Sequence, residues 1–149
     1  MQRIQKFTLV AMVLASGLLS ASAARAYDSC YYTSWNYYPQ RQYYYNYCYY
    51  QQPQGDYDYH YSCYYPSQPN YVYYYNPHRS CYWGRYDIEK KQYSLLDEKD
   101  RKGNLKDIPE SAFPKPGPMP QVPGAMQGVT LAVPQGIPEP KDAPAAEGK

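Results

Sequence analysis

The sequence predicts a small, mostly β fold: an antiparallel meander of hairpins with one or two short helical turns. A signal-peptide helix is expected before it and a disordered proline-rich tail after it. Three observations carry this reading. Of the 23 tyrosines, 22 fall between Tyr27 and Tyr86. In that stretch of 60 residues Val72 is the one Leu, Ile, Val, Met or Phe, which excludes the aliphatic core of an ordinary globular enzyme domain. The tyrosine-rich runs also alternate with period two, the repeat of a strand with one face in and one face out.

Residues 1–26 have the parts of a secretory signal. Arg3 and Lys6 supply the basic end, the apolar run of 13 from Phe7 to Leu19 follows, and Ala24-Arg25-Ala26 offers small residues for cleavage. The run falls short of the roughly 20 apolar residues needed to cross a bilayer, and no later segment is more apolar. Export is therefore expected, to the periplasm, the cell surface or the exterior, with no transmembrane segment after cleavage. Removing Arg3, Lys6 and Arg25 leaves 12 basic against 13 acidic residues, a balance of −1. Nothing in this resembles the basic cluster of a nucleic-acid binder, so nucleic acid is not expected as a partner.

The tyrosine-rich β region spans residues 27–86. Its clearest strand is Asp56 to Cys63, which places Tyr57, Tyr59, Tyr61 and Cys63 on one face and Asp56, Asp58, His60 and Ser62 on the other. Tyr43 to Tyr50 precedes it, and the connection QQPQGD with Pro53 and Gly55 makes the two a hairpin. Tyr71 to Tyr75 and Cys81 to Tyr86 continue the meander across turns at Pro66–Asn70 and Pro77. A last hairpin is expected about Ile88 to Lys91, joining Trp83–Asp87 to Gln92–Leu96.

The charged segment 87–113 should hold the end of that hairpin and the short helical turns. Ser94 or Asp97 is expected to cap one turn ending before Gly103, and Asp107 with Glu110 reads as a capping box around Pro109. Residues 114–149 contain 9 prolines in 36 positions. Repeated loss of backbone donors without a periodic apolar face predicts a disordered or locally extended tail.

Cys30, Cys48, Cys63 and Cys81 form an even set in an exported chain, so two disulfides are expected. A shift of 33 residues superposes Cys30 on Cys63 and Cys48 on Cys81; were it a true duplication, Cys30–Cys48 and Cys63–Cys81 would be the symmetric pairing. The alternative is a metal site. His60 and His78 each stand three residues before a cysteine, and His60, Cys63, His78 and Cys81 are the donor set for tetrahedral zinc or for copper. On a strand, residues three apart point to opposite faces, so each pair would need a turn or bulge to converge.

Tyrosine itself offers three roles: a packing residue whose hydroxyl stays wet, a rigid amphipathic contact surface, and a phenol for oxidative cross-linking into an envelope or matrix. Weakly charged strands also carry a tendency to self-associate at their edges. No catalytic residue is indicated, because the sequence has no nucleophile elbow, phosphate loop, dinucleotide fingerprint or H-E-x-x-H. No enzyme activity and no cofactor are expected.

The strings YYTSWNYYP at 31–39, NYVYYYNP at 70–77, YWGRYD at 82–87 and YSLLDEKDRKGNLKDIPESAFPKPGPMP at 93–120 resemble a group of uncharacterised, exported tyrosine-rich proteins of planctomycete-type bacteria. That resemblance implies secretion and a small β-rich body with a proline-rich tail, and it brings no activity or cofactor. The expectation is a non-enzymatic structural or surface-interaction component of the envelope or exterior, whose partners would be envelope or matrix components or copies of itself. A metal-binding exported module is the alternative.

Overall fold

Seven strands form between Tyr31 and Leu95. The fold is a computed structural model describing residues 29–142; the expected signal peptide at 1–26 and the last residues, 143–149, lie outside the described residues. The strands are β1 (Tyr31–Tyr32), β2 (Asn36–Tyr38), β3 (Tyr43–Gln51), β4 (Tyr57–Tyr64), β5 (Tyr71–Asn76), β6 (Cys81–Asp87) and β7 (Gln92–Leu95). They make one antiparallel sheet in the order β1-β3-β4-β5-β6-β7, with β2 also paired to β3. From β3 onward this is the expected meander. The strands β1 and β2, two and three residues long, are too short to show a period and were not expected.

Each hairpin joint carries the turn chemistry that ends its strands. Gly55 takes φ 95° in the β3–β4 turn, and Gln42, Ser80 and Lys91 take positive φ in the β2–β3, β5–β6 and β6–β7 turns. The β5–β6 turn is held by Asn76, whose side-chain oxygen accepts from the backbone N–H groups of His78 and Arg79 at 2.9 and 3.1 Å. This is the asparagine turn motif, in which the side chain replaces a backbone acceptor. In β6 the register shifts beside Tyr74 and Tyr75, so Trp83 has no cross-strand partner there. Gly84 allows β7 to come close: a Cβ on it would lie 2.9 Å from the Ser94 carbonyl oxygen.

The sheet is covered on both faces, and neither cover is a sheet or a long helix. On one face the proline-rich segment lies across the strands as a strap. Val122, Val129 and Leu131 are fully or almost fully buried and Ala125 nearly so, packed with Tyr44, Tyr50, Tyr64, Val72, Tyr74 and Trp83. The strap supplies the aliphatic carbon that the strands lack. It also meets the sheet at its two ends. Tyr93 of β7 exchanges backbone hydrogen bonds with Gly117 at 2.9 and 2.7 Å, and at the other end the Cys30 N–H donates to the Thr130 carbonyl at 2.9 Å. Each contact takes up edge donors and acceptors that another strand could otherwise pair with.

The proline-rich segment was expected as a disordered or extended tail. Its described part, 114–142, has no strand and a single 3-10 turn at Pro140–Asp142, but it is packed rather than loose. The tyrosine hydroxyls explain how a chain poor in N–H donors is held: its carbonyls accept instead. Tyr32 and Tyr93 both donate to the Ala132 carbonyl, at 2.6 and 3.1 Å, and the Trp35 indole N–H donates to Gln135 at 2.9 Å.

On the opposite face the charged segment contributes Leu96 and Ile108, which pack against Cys63, Tyr73 and Tyr82, with Leu105 and Phe113 beside them. Its helical content is three 3-10 turns, Glu98–Asp100, Leu105–Asp107 and Glu110–Ala112. The expected caps differ in detail. Asp97 stands at the first N-cap without a side-chain bond, while Ser94 lies within β7. The capping box does not form: Pro109 occupies the N-cap of the last turn, and the Glu110 carboxylate is engaged by Arg85 instead. The side chain that does cap is Asn104, which accepts from the Lys106 N–H at 3.1 Å.

Candidate functional site

The charged segment covers the β5–β6 side of its face and leaves the β3–β4 side open. There the alternation of β3 presents Tyr43, Tyr45, Tyr47 and Tyr49 half-buried, while Tyr44, Asn46, Cys48 and Tyr50 are buried beneath the strap. β4 adds Tyr59 and Tyr61, also half-buried. Directly opposed residues meet ring to ring, Tyr47 and Tyr61 at 5.1 Å between centroids and Tyr49 and Tyr59 at 5.7 Å, and the diagonal pair Tyr47 and Tyr59 lies at 5.2 Å. These are the separations of edge-to-face and offset aromatic pairs. At the far end Tyr31, 55 % exposed, stacks on Tyr49 at 5.2 Å.

A pocket of about 310 Å³ opens where this tyrosine face meets the charged segment. Tyr43, Tyr45 and Tyr47 of β3 and Tyr61 and Cys63 of β4 line it along the strands. Tyr75 of β5 and Tyr82 of β6 close one side; Tyr38 of β2, Arg41 of the β2–β3 connection and Gly103 of the charged segment complete the rim. Tyr82 is fixed by a 2.7 Å hydrogen bond between its hydroxyl and that of Tyr65. Burial raises the Tyr43 phenol and the Cys63 thiol, each to about 12, and pushes the Tyr61 and Tyr82 phenols up as well. These groups are neutral at physiological pH. Arg41 is the charged residue of the lining, and among the described residues it makes no ion pair.

The cysteines divide unequally. Cys30 and Cys48 form a disulfide with a Cα–Cα separation of 5.7 Å, tying the chain before β1 to the middle of β3. Cys63 and Cys81 are free, which corrects the expectation of two disulfides. The reason lies in the topology. Cys63 is on β4 and Cys81 on β6 with β5 between them, so two strand spacings, about 9.5 Å, separate their backbones. Bridging requires Cα atoms within about 7 Å. The 33-residue shift also fails as a structural repeat, since Cys30 precedes a strand and Cys63 lies inside one.

The two H-x-x-C pairs do not converge on a metal. His60 is buried on the strap side, its Nε2 hydrogen-bonded with the Tyr50 hydroxyl at 3.2 Å, whereas Cys63 faces the tyrosine pocket on the other side. His78 sits exposed in the β5–β6 turn and binds the Asp58 carboxylate through Nε2 at 2.7 Å. Among the described residues no three His, Cys, Asp or Glu side chains are grouped to hold a metal ion.

Asp58 is more than a solubilising charge. Burial opposes its ionised form, but the bonds it accepts from the Tyr59 N–H at 2.7 Å, His78 and Gln52 at 2.8 Å hold it below the usual carboxylate range. His60 and Ser62 also behave differently from their polar character: they are completely buried, as is Asn46 opposite Ser62. The alternation predicted for β4 is therefore correct, and the side carrying these polar residues is the more buried one. Burial lowers His60 to about 4, so it is neutral at physiological pH.

Sequence reasoning missed Arg41 and Gly103. The signal for Arg41 was present, since it is the single basic residue between Tyr27 and His78. Gly103 comes to the pocket through tertiary packing, next to Lys102, whose carbonyl accepts from the Tyr82 N–H at 2.9 Å. No protein-family model matches the chain, and no curated protein or solved structure is significantly similar to it.

Proposed function

We propose that the protein is an exported, non-enzymatic surface-interaction component of the envelope or exterior, and that the open tyrosine face of β3 and β4 is its contact surface. The observation that carries this is the unequal covering of the sheet. The strap buries Tyr44, Tyr50, Tyr64, Tyr74 and Trp83 and the charged segment buries Tyr73 and Tyr82, yet Tyr45, Tyr47, Tyr49, Tyr59 and Tyr61 stay half-exposed and in mutual contact. Tyrosine suits this use because its ring supplies contact area with few rotatable bonds and its hydroxyl tolerates water. The Cys30–Cys48 disulfide supports an oxidising destination. Among the described residues no helix is long and apolar enough to cross a membrane.

The test is fractionation of the native host expressing the full chain or its Tyr47→Ser/Tyr59→Ser variant. The wild-type chain should sediment with envelope or matrix material. The variant should be released while keeping a cooperative thermal transition, because each lost aromatic pair contributes about 0.2–1 kcal/mol. A wild-type chain that diffuses freely after gentle lysis overturns the reading.

A further inference from the structure

We propose that the pocket beside Arg41 binds a carboxylated saccharide, with a sugar ring among the tyrosines and its carboxylate on the Arg41 guanidinium. The inference rests on the contact-surface reading and names the chemistry that the surface recognises.

Size and composition set the class. The volume of about 310 Å³ is at the small end of ligand sites. Tyrosines, with no Leu, Ile, Val, Met or Phe, line it, so a purely apolar ligand would leave many phenol hydroxyls facing carbon. A sugar ring matches both parts of a tyrosine wall. Its C–H face lies on the electron-rich face of an aromatic ring, and its hydroxyls donate to and accept from phenols, which do both in return.

Charge then selects within the class. Arg41 reaches the pocket from an exposed turn between β2 and β3, free of any ion pair among the described residues. No carboxylate lines the pocket, so an entering anion meets the Arg41 cation and no acidic side chain of Asp or Glu. The guanidinium fork fits a carboxylate with two parallel hydrogen bonds. A nucleic-acid strand would demand a row of cations along its phosphates, whereas a sugar acid asks for one.

The experiment compares a galacturonate trimer with the neutral galactose trimer, titrated calorimetrically into the full mature chain. The acidic trimer should bind roughly tenfold or more tightly than the neutral one, the usual effect of a charged hydrogen bond. Arg41→Gln should abolish that preference, as should high salt. Tyr45→Phe, which keeps the ring, should weaken both trimers less than Tyr45→Ala. Equal binding of the two trimers, an acid preference that survives Arg41→Gln, or no binding of either trimer overturns the inference. If neither trimer binds while the wild-type chain still sediments with the envelope and the Tyr47→Ser/Tyr59→Ser variant does not, the ligand class is wrong and the contact surface stands. If sedimentation fails as well, both fall.

Discussion

Arg85 and Glu110 are joined by a forked pair of hydrogen bonds, in which both terminal nitrogens of the guanidinium donate to the one carboxylate, Nη1 at 2.7 Å. The two ends differ in setting: the Arg85 side chain is 6 % exposed and that of Glu110 72 %. The guanidinium also lies over the rings of Tyr71 and Phe113, at 3.9 and 4.0 Å from their centroids. This cluster fastens the last 3-10 turn of the charged segment to β5 and β6, and so fixes the cover that leaves the tyrosine pocket at its margin.

Glu110→Gln should therefore destabilise the fold by about 1 kcal/mol, because the partner is solvent-screened and the cation–π contacts persist. The hydrogen bonds from Arg85 hold the Glu110 carboxyl below the usual glutamate range. A depressed folded value means that the contribution is complete above the unfolded glutamate value and is lost as pH falls through the folded one. Urea midpoints compared at neutral pH and in acid should show the wild type and Glu110→Gln converging on acidification. Curves that stay parallel would mean that ionisation of Glu110 contributes nothing to stability.

A second acid sensitivity occupies a different pH window. Burial holds His60 at about 4, against an ordinary 6.5. Between these values the unfolded chain binds a proton that the folded chain excludes, so stability falls as pH drops from about 6.5 to about 4 and this contribution then levels off. The change should be on the order of 3 kcal/mol. His60→Phe keeps a ring beside Tyr50 and Trp83 and should remove the slope in this window, even if its stability at neutral pH is lower. A wild-type midpoint that is flat from pH 6.5 to 4 would show that His60 is not buried as a neutral group.

What was legible in advance follows from how far along the chain each interaction reaches. Period-two alternation located β3 and β4, and turn residues bounded β5 to β7, within a residue or so at their ends, because both signals are local. Which face would be covered was not local. The strap has no apolar periodicity, and Val122, Val129 and Leu131 look like scattered residues until the sheet lies beneath them. The cysteine pairing was misread for the same reason: equal spacing in sequence placed Cys63 and Cys81 on strands separated by a third. The pocket needed three distant segments at once, and its most telling residue, Arg41, was visible only as an isolated charge.

If the strap is the second half of the core, its buried aliphatics should matter as much as those of a strand. Leu131 is fully buried and Val133, two residues on, is 39 % exposed. Leu131→Ala should cost about 3 kcal/mol, while Val133→Ala should stay within roughly 0.5 kcal/mol of wild type. Equilibrium unfolding of the two variants measures the difference directly. Equal, negligible effects would return the proline-rich segment to the status of a loose tail.

The free pair of cysteines gives the most direct check of the topology. With Cys30–Cys48 bridged and Cys63 and Cys81 reduced, the intact mature chain should weigh about two mass units less than the fully reduced form, and not four. After unfolding without reductant, two thiols should become available to alkylation. In the folded chain Cys63 should resist the reagent, since it is 3 % exposed and burial raises its thiol to about 12, leaving almost no thiolate to react. Replacing Cys30 and Cys48 together by serine should lower stability by roughly 3 kcal/mol, the closure entropy of a loop of this length. The same double replacement at Cys63 and Cys81 removes no crosslink, so its cost should be the smaller one of exchanging a buried thiol for a hydroxyl. A mass four units low, or a larger loss from the second pair, would require β4 and β6 to be neighbours, contrary to the order of strands in the sheet.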